Sequence, residues 1–324
     1  MPTRVPLLFG TMTIGQEGKN GVRNHGMSEC QEIIDTFYKH GHREFDTARM
    51  YAEGTTEQYL AKLDLKDGAI DTKVYPLAPG DHKPDRLRTL FQISLKTLLP
   101  RKVRVFYLHA PDRSVPFEET LREVNQMYKD GLFEIFGLSN YASWEVAEIV
   151  GICKSNNWIQ PKIYQAMYNA LTRAMEAELV PCVRKFGIRL VVYNPLAGGF
   201  FAGKVVSPTD KAPEGGRFDD NDGQSKMGVM YRERYIKPLY FEALEVVKNV
   251  ADKHNLRLTE IALRWCQHHS VLSPQDGVIL GASSATQLEQ NCLDSEKGPL
   301  PEEVVAALDK AAYIVQNDAP SYWR

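Results

Sequence analysis

Eight short apolar runs, each followed by a segment of helical periodicity, constrain this chain more than any other feature. The runs fall at residues 5–9, 44–46, 69–74, 103–108, 133–138, 163–166, 189–193 and 277–280. Between them apolar residues recur three or four apart. Ile33, Ile34, Phe37 and Tyr38 do so within 28–40, and Tyr59, Leu60 and Leu63 do so after Thr55. Further helices are expected at 85–99, at 116–131 with Pro116 at the start, at 143–155 and at 174–186, which Gly187 stops. Helices are also expected at about 235–253, 259–268, 286–293 and 301–314. The run 103–108 is apolar almost throughout, as a strand buried on both faces must be. Eight such alternations with no internal boundary predict an α/β fold, a (β/α)8 TIM barrel filling residues 1–324 as one domain. A doubly wound open sheet is the alternative, weakened because no GxGxxG follows the first run.

Composition narrows the function classes. A formal net charge of −2 with no basic block argues against nucleic acid as a partner and gives no reason to expect a membrane surface. No apolar run is long enough for a membrane span, and the N-terminus lacks a signal-peptide pattern, so a cytoplasmic protein is expected. The cysteines (Cys30, Cys153, Cys182, Cys266, Cys292) lack CxxC spacing and read as reduced, mostly buried thiols. Residues 194–231 break the rhythm. They hold most of the glycine clusters (Gly198-Gly199, Gly215-Gly216 and Gly223), and so long a loop is expected to be a lid or binding element.

In a barrel, chemistry gathers at the C-terminal ends of the strands. Asp46 ends the second run, Tyr51 follows it, Lys73 lies at the end of the third and His109 at the end of the fourth. Neighbouring strands are about 5 Å apart, so these side chains can converge. A lysine cation beside a tyrosine favours the phenolate, a carboxylate holds the lysine, and a histidine orients a carbonyl. The set suits proton donation to an oxygen gaining charge as hydride adds to a carbonyl. Each residue alone has an ordinary reading: a turn aspartate, a packed tyrosine, a solvated lysine, a core histidine. A metal site is not expected, because His109 is the only clear strand-end histidine.

Several motifs together resemble the aldo-keto reductase superfamily. They are Asp46-Thr47-Ala48 with Tyr51, Thr72-Lys73, Tyr107 to Asp112 (YLHAPD), Gly137-Leu138-Ser139-Asn140, Tyr164-Gln165, and Tyr193 to Gly199 (YNPLAGG). The stretch YASWEVAEI at 141–149, Ser283-Ser284 with Gln287 to Asn291, and the ending Pro320 to Arg324 are similar to the aflatoxin-aldehyde (succinic semialdehyde) reductase subfamily. The resemblance implies NADPH-dependent reduction of small aldehydes, dicarbonyls or semialdehydes, with Asp46, Tyr51, Lys73 and His109 as the catalytic tetrad. It implies that Ser139, Asn140 and Gln165 contact the nicotinamide. Asn194, Pro195, Leu196, Gly198, Gly199 and Lys204 would form a loop over the pyrophosphate, with Arg217 as a further phosphate ligand. Ser283, Ser284, Gln287, Gln290 and Asn291 would hold the 2′-phosphate end. Tyr231, Arg234 and Arg324, with His109, would face the substrate.

The chain departs from that pattern at Arg49, Asp71 and Leu77. The first two add charge near the tetrad, and Leu77 is expected to widen the pocket. A homodimer is implied by the resemblance alone. The alternative readings are a nicotinamide-binding regulatory or auxiliary subunit with little turnover, and a dedicated biosynthetic carbonyl reductase.

Overall fold

The computed structural model describes residues 3–324 apart from 206, 214–215 and 222, so the expected Gly215 lies outside the described residues. The elements are β1 (Leu7–Gly10), α1 (Met27–Lys39), β2 (Glu44–Asp46), α2 (Thr55–Lys62), β3 (Ala69–Val74), α3 (Pro84–Leu98), β4 (Val103–Leu108), α4 (Phe117–Lys129), β5 (Ile135–Ser139) and α5 (Ser143–Ser155). They continue with β6 (Ile163–Met167), α6 (Leu179–Lys185), β7 (Arg189–Tyr193), α7 (Lys226–Tyr235), α8 (Pro238–Lys253), α9 (Leu258–His268), β8 (Gly277–Leu280), α10 (Ala285–Ser295) and α11 (Glu302–Val315). Neighbouring strands pair in parallel in chain order, and β1 also pairs with β8, so the sheet closes into a barrel. The eight runs and their alternation with helices thus give the expected α/β barrel.

Two apolar clusters follow from strand alternation. Leu8, Val105, Tyr107, Ile163, Val191 and Ile279 point inward and fill the barrel. The alternate residues point outward against the helices: Phe106 meets Phe91 of α3 with ring centroids 4.2 Å apart. On α1 the buried positions Cys30, Ile33, Ile34 and Phe37 make the stripe its periodicity predicts.

Several boundaries differ from expectation. Strand β5 begins at Ile135, and Phe133 ahead of it lies outside the strand, packed on Phe91 and Phe106. Helix α6 begins only at Leu179, since residues 174–178 are held in turns, where Glu176 accepts from the Tyr168 hydroxyl at 2.6 Å. Residues 194–231 are not all loop. Ser225 Oγ accepts from the Gly228 amide and caps α7, so Tyr231 and Arg234 sit on a helix.

The free cysteines are buried, except for the partly exposed Cys182. Among the described residues no helix is long and apolar enough to cross a membrane, and no group of three or more His, Cys, Asp or Glu is placed to hold a metal ion.

Candidate active site

The barrel brings the strand-end residues together. Lys73 is fully buried, with its Nζ 2.8 Å from each Asp46 carboxylate oxygen and 2.6 Å from the Thr47 carbonyl. Gln165 Nε2 donates to Asp46 Oδ1 at 2.7 Å, so the carboxylate is fixed by two donors from opposite parts of the barrel. The Lys73 ammonium lies 5.1 Å from the centre of the Tyr51 ring. His109 meets Tyr51 edge to face at 6.1 Å, and Tyr75 packs on the other side of His109 at 5.4 Å.

The electrostatics correct one expectation. The Tyr51 phenol is pushed well above its ordinary value, first by burial and then by the Asp46 charge. Lys73 does not overcome this, because it is engaged with Asp46. Tyr51 therefore keeps its phenolic proton. His109 is held well below its ordinary value, first by burial, then by the Lys73 and Arg324 cations, so its imidazole is neutral.

Above this group opens a cavity of about 660 Å³ lined by Asp46, Tyr51, His109, Asn140 and Gln165. Asn140 Nδ2 donates to the His109 carbonyl at 2.7 Å and to Ser139 Oγ at 3.1 Å, which ties the end of β5 to that of β4. One wall is the segment after β7, where Asn194, Pro195, Leu196, Gly198, Gly199 and Lys204 all line the cavity. Gly198 and Gly199 have φ of 68° and 100°, and a Cβ on Gly198 would lie 2.5 Å from the Tyr231 ring. Tyr231 is drawn onto this segment by a 3.1 Å hydrogen bond from its hydroxyl to Asn194 Oδ1.

The guanidinium groups of Arg217 and Arg234 both lie over the Tyr231 ring, at 5.5 and 5.4 Å. Arg217 also contacts the Met12 and Met227 sulfurs, each at 3.0 Å. Arg324 reaches the cavity because its backbone N–H donates to the Asn140 carbonyl at 3.0 Å. Ser283 and Gln287 line the far end.

Some expected residues stand back. Ser139 is buried behind Asn140 and does not line the cavity. Ser284 Oγ is occupied as the α10 cap, accepting from the Gln287 amide. Gln290 donates to Asp294, and Asn291 donates at 3.5 Å to the Gly281 carbonyl. None of these three lines the cavity either. The departures resolve similarly. Arg49 turns away and pairs with the buried Glu57, and Asp71 lies inside the barrel below Asp46. Leu77 is 73% exposed and outside the lining, so it does not widen the pocket.

Sequence reasoning missed Asn20 and Arg23, from the loop after β1, and Met50, Tyr75, Tyr193 and Met230. The available signal was position: each follows or ends a strand at the C-terminal face, or lies on the segment after β7.

Residues 6–312 match the model of the aldo/keto reductase family. The chain belongs to the aldo/keto reductase family. It is 43% identical over 343 aligned positions to aflatoxin B1 aldehyde reductase member 2 of Mus musculus, covering all of this chain and 89% of that protein. It is 44% identical to aldo-keto reductase family 7 member A3 of Homo sapiens, over 90% of this chain and 91% of the relative. Aldo-keto reductase pigE of Monascus ruber is 40% identical over 99% and 98%. This aldo/keto reductase is therefore an oxidoreductase acting on a small-molecule carbonyl with a nicotinamide cofactor. The donor set suits such a cofactor: positive-φ glycines let the backbone approach a pyrophosphate, and Arg23, Lys204 and Arg217 supply charge along one wall.

Proposed function

We propose that this enzyme reduces aldehydes or ketones to alcohols with NADPH, and that Tyr51 is the proton donor. The observation that carries this reading is the Lys73 ammonium fixed on both oxygens of Asp46, with Tyr51 and His109 beside it at the base of the cavity. When bound, NADPH supplies the hydride from C4 of its nicotinamide ring. Tyr51 gives its phenolic proton to the carbonyl oxygen as that oxygen gains charge. Lys73 stabilises the phenolate left behind, and Asp46, held by Gln165, keeps Lys73 in place. Neutral His109 offers one ring N–H to orient the carbonyl.

Asn140 and Gln165 line the cavity where they can hold the nicotinamide amide, with Ser139 supporting Asn140. The segment at 194–204 and Arg217 take the pyrophosphate. Ser283 and Gln287 take the 2′-phosphate end, with Ser284, Gln290 and Asn291 shaping α10 behind them. Tyr231, Arg234 and Arg324 bound the substrate space, where an arginine pairs with a carboxylate bidentately. Small aldehydes, dicarbonyls and semialdehyde acids are the substrate class.

The test is Tyr51→Phe, assayed by NADPH oxidation with a reactive aldehyde and by NADPH titration. Turnover should fall about 10²–10⁴-fold while NADPH affinity is retained. Turnover near the parent level would sink the role of Tyr51, and equal rates with NADH would sink the preference for NADPH.

A further inference from the structure

We infer that Asp71 and Arg104 act as a positioning pair for this reaction, each neutralising the other so that Asp46 and Lys73 above them have no competing partner. The inference rests on the carbonyl-reductase reading of the site. Six charged side chains occupy the lower barrel and the base of the site: the acids Glu44, Asp46 and Asp71 and the cations Lys73, Arg104 and Arg189. Arg104 grips Asp71 bidentately, Nε to Oδ1 at 2.9 Å and Nη2 to Oδ2 at 2.6 Å, and also reaches Glu44 Oε2 at 2.5 Å. Arg189 crosses from the opposite wall to Glu44 at 3.0 Å. Asp46 and Lys73 engage each other one level higher.

The separation between these levels is short. Asp46 and Asp71 are register partners on neighbouring strands, and Lys73 lies two residues beyond Asp71 on the same face of β3. Arg104 already spans from β4 past β3 to β2, so Asp46, two residues beyond Glu44, is within the swing of its side chain. A guanidinium that loses Asp71 keeps Nη2 on Glu44 but frees Nε, which would turn to Asp46 and draw it from Lys73. A carboxylate released by loss of Arg104 would turn to Lys73 and draw it from Asp46. In both cases the cation beside Tyr51 is displaced. Burial pushes the Asp71 carboxyl up to about 6 even with Arg104 beside it, so without Arg104 it stays charged only by taking the Lys73 ammonium.

The experiment compares Asp71→Ala, Arg104→Leu and the double variant with the parent, measuring kcat and KM for NADPH and a carbonyl. Each single variant should lose at least about tenfold in kcat, with both KM values within about threefold, and the double should return to within about threefold of the parent. Folding is checked by circular dichroism. If Asp71→Ala does not fold, the near-isosteric Asp71→Asn and the double variant carry the same comparison. Singles with parental kcat, or a double no better than the worse single, would overturn the inference, since a purely structural role predicts no rescue. Turnover that survives Tyr51→Phe would instead overturn the assignment of Tyr51 as proton donor, whatever the Asp71 variants do.

Discussion

Arg49→Ala should destabilise the enzyme through Glu57, and by an amount that grows with pH. Glu57 has no side-chain exposure and is paired with Arg49, while its other oxygen accepts from Thr72 Oγ1 at 2.7 Å. Removing one partner of a buried pair costs about 3–5 kcal/mol when the other stays charged. Glu57 has an escape, because it can take up a proton. Burial already pushes its carboxyl above the ordinary value even though Arg49 pulls it down, so losing Arg49 raises it further. The unfolded carboxyl titrates near about 4.3. Between that value and the raised folded one, the native state binds a proton that the unfolded state lacks. Stability of the variant therefore falls as pH rises, by up to about 1.4 kcal/mol per pH unit, until the folded value is passed. The deficit against the parent should be small near pH 5 and reach the full cost near pH 8. Urea denaturation of parent, Arg49→Ala and Arg49→Ala/Glu57→Leu at both pH values measures it, with the double variant recovering part of the loss. A deficit below about 1 kcal/mol at pH 8, or the same deficit at both pH values, would refute the reasoning.

Three further outcomes are expected. Because His109 is held neutral and Tyr51 protonated, kcat for reduction should vary by no more than about twofold between pH 6 and 9, and an inflection near 6.5 would contradict the assignment of His109. Gly198→Ala places a Cβ 2.5 Å from the Tyr231 ring at a φ of 68°; strain of about 1–3 kcal/mol should weaken NADPH binding, and an unchanged Kd in a fluorescence titration would count against the wall assigned to 194–204. Thr72→Val removes a donor to buried Glu57 and should cost about 1–3 kcal/mol in a urea melt while leaving kcat near the parent value; a loss in kcat with stability kept would place Thr72 in the chemistry rather than behind it.

The barrel and three of the four residues gathered at the base of the cavity were legible because they follow from period and closure. Once eight strands are read, Asp46, Lys73 and His109 must lie at one end of them, and the alternation of side chains turns Asp46 and Lys73 inward together. Tyr51 was legible as the tyrosine in the turn just after Asp46, although it follows a strand rather than ending one and no alternation fixes its direction. What failed to show was the direction of side chains where the backbone is irregular. Arg49 precedes a turn in which Ala52 and Glu53 adopt φ of 47° and 56° and Gly54 adopts 92°. Its guanidinium lies over Gly54, where no side chain competes, and no simple period predicts that course. Arg104 was hidden by a register shift: Ile70 pairs with Val103 but Asp71 with Val105, so Arg104 is the extra residue and escapes the in–out alternation. On α10, Ser284, Gln290 and Asn291 make local contacts to the Gln287 amide, Asp294 and the Gly281 carbonyl, which no spacing in the sequence foretells.

Strand β3 explains why those two hidden arginines belong to the same problem. Its consecutive residues Asp71, Thr72 and Lys73 point in, out and in, and each holds a charged neighbour. Lys73 holds Asp46 at the base of the site, Asp71 holds Arg104 in the barrel, and Thr72 holds Glu57, which in turn holds Arg49 beside the Tyr51 turn. A lysine ammonium is a compact charge on a flexible stem. Its position depends on the carboxylate it meets, so neighbouring ions must be satisfied elsewhere. Arg104 satisfies Asp71 on one side of the strand and Arg49 satisfies Glu57 on the other, which leaves Asp46 to Lys73. The departures at Arg49 and Asp71 thus add no charge to the substrate cavity. They sit behind it, on either face of the strand that carries the lysine, where a change in charge acts on the position of Lys73.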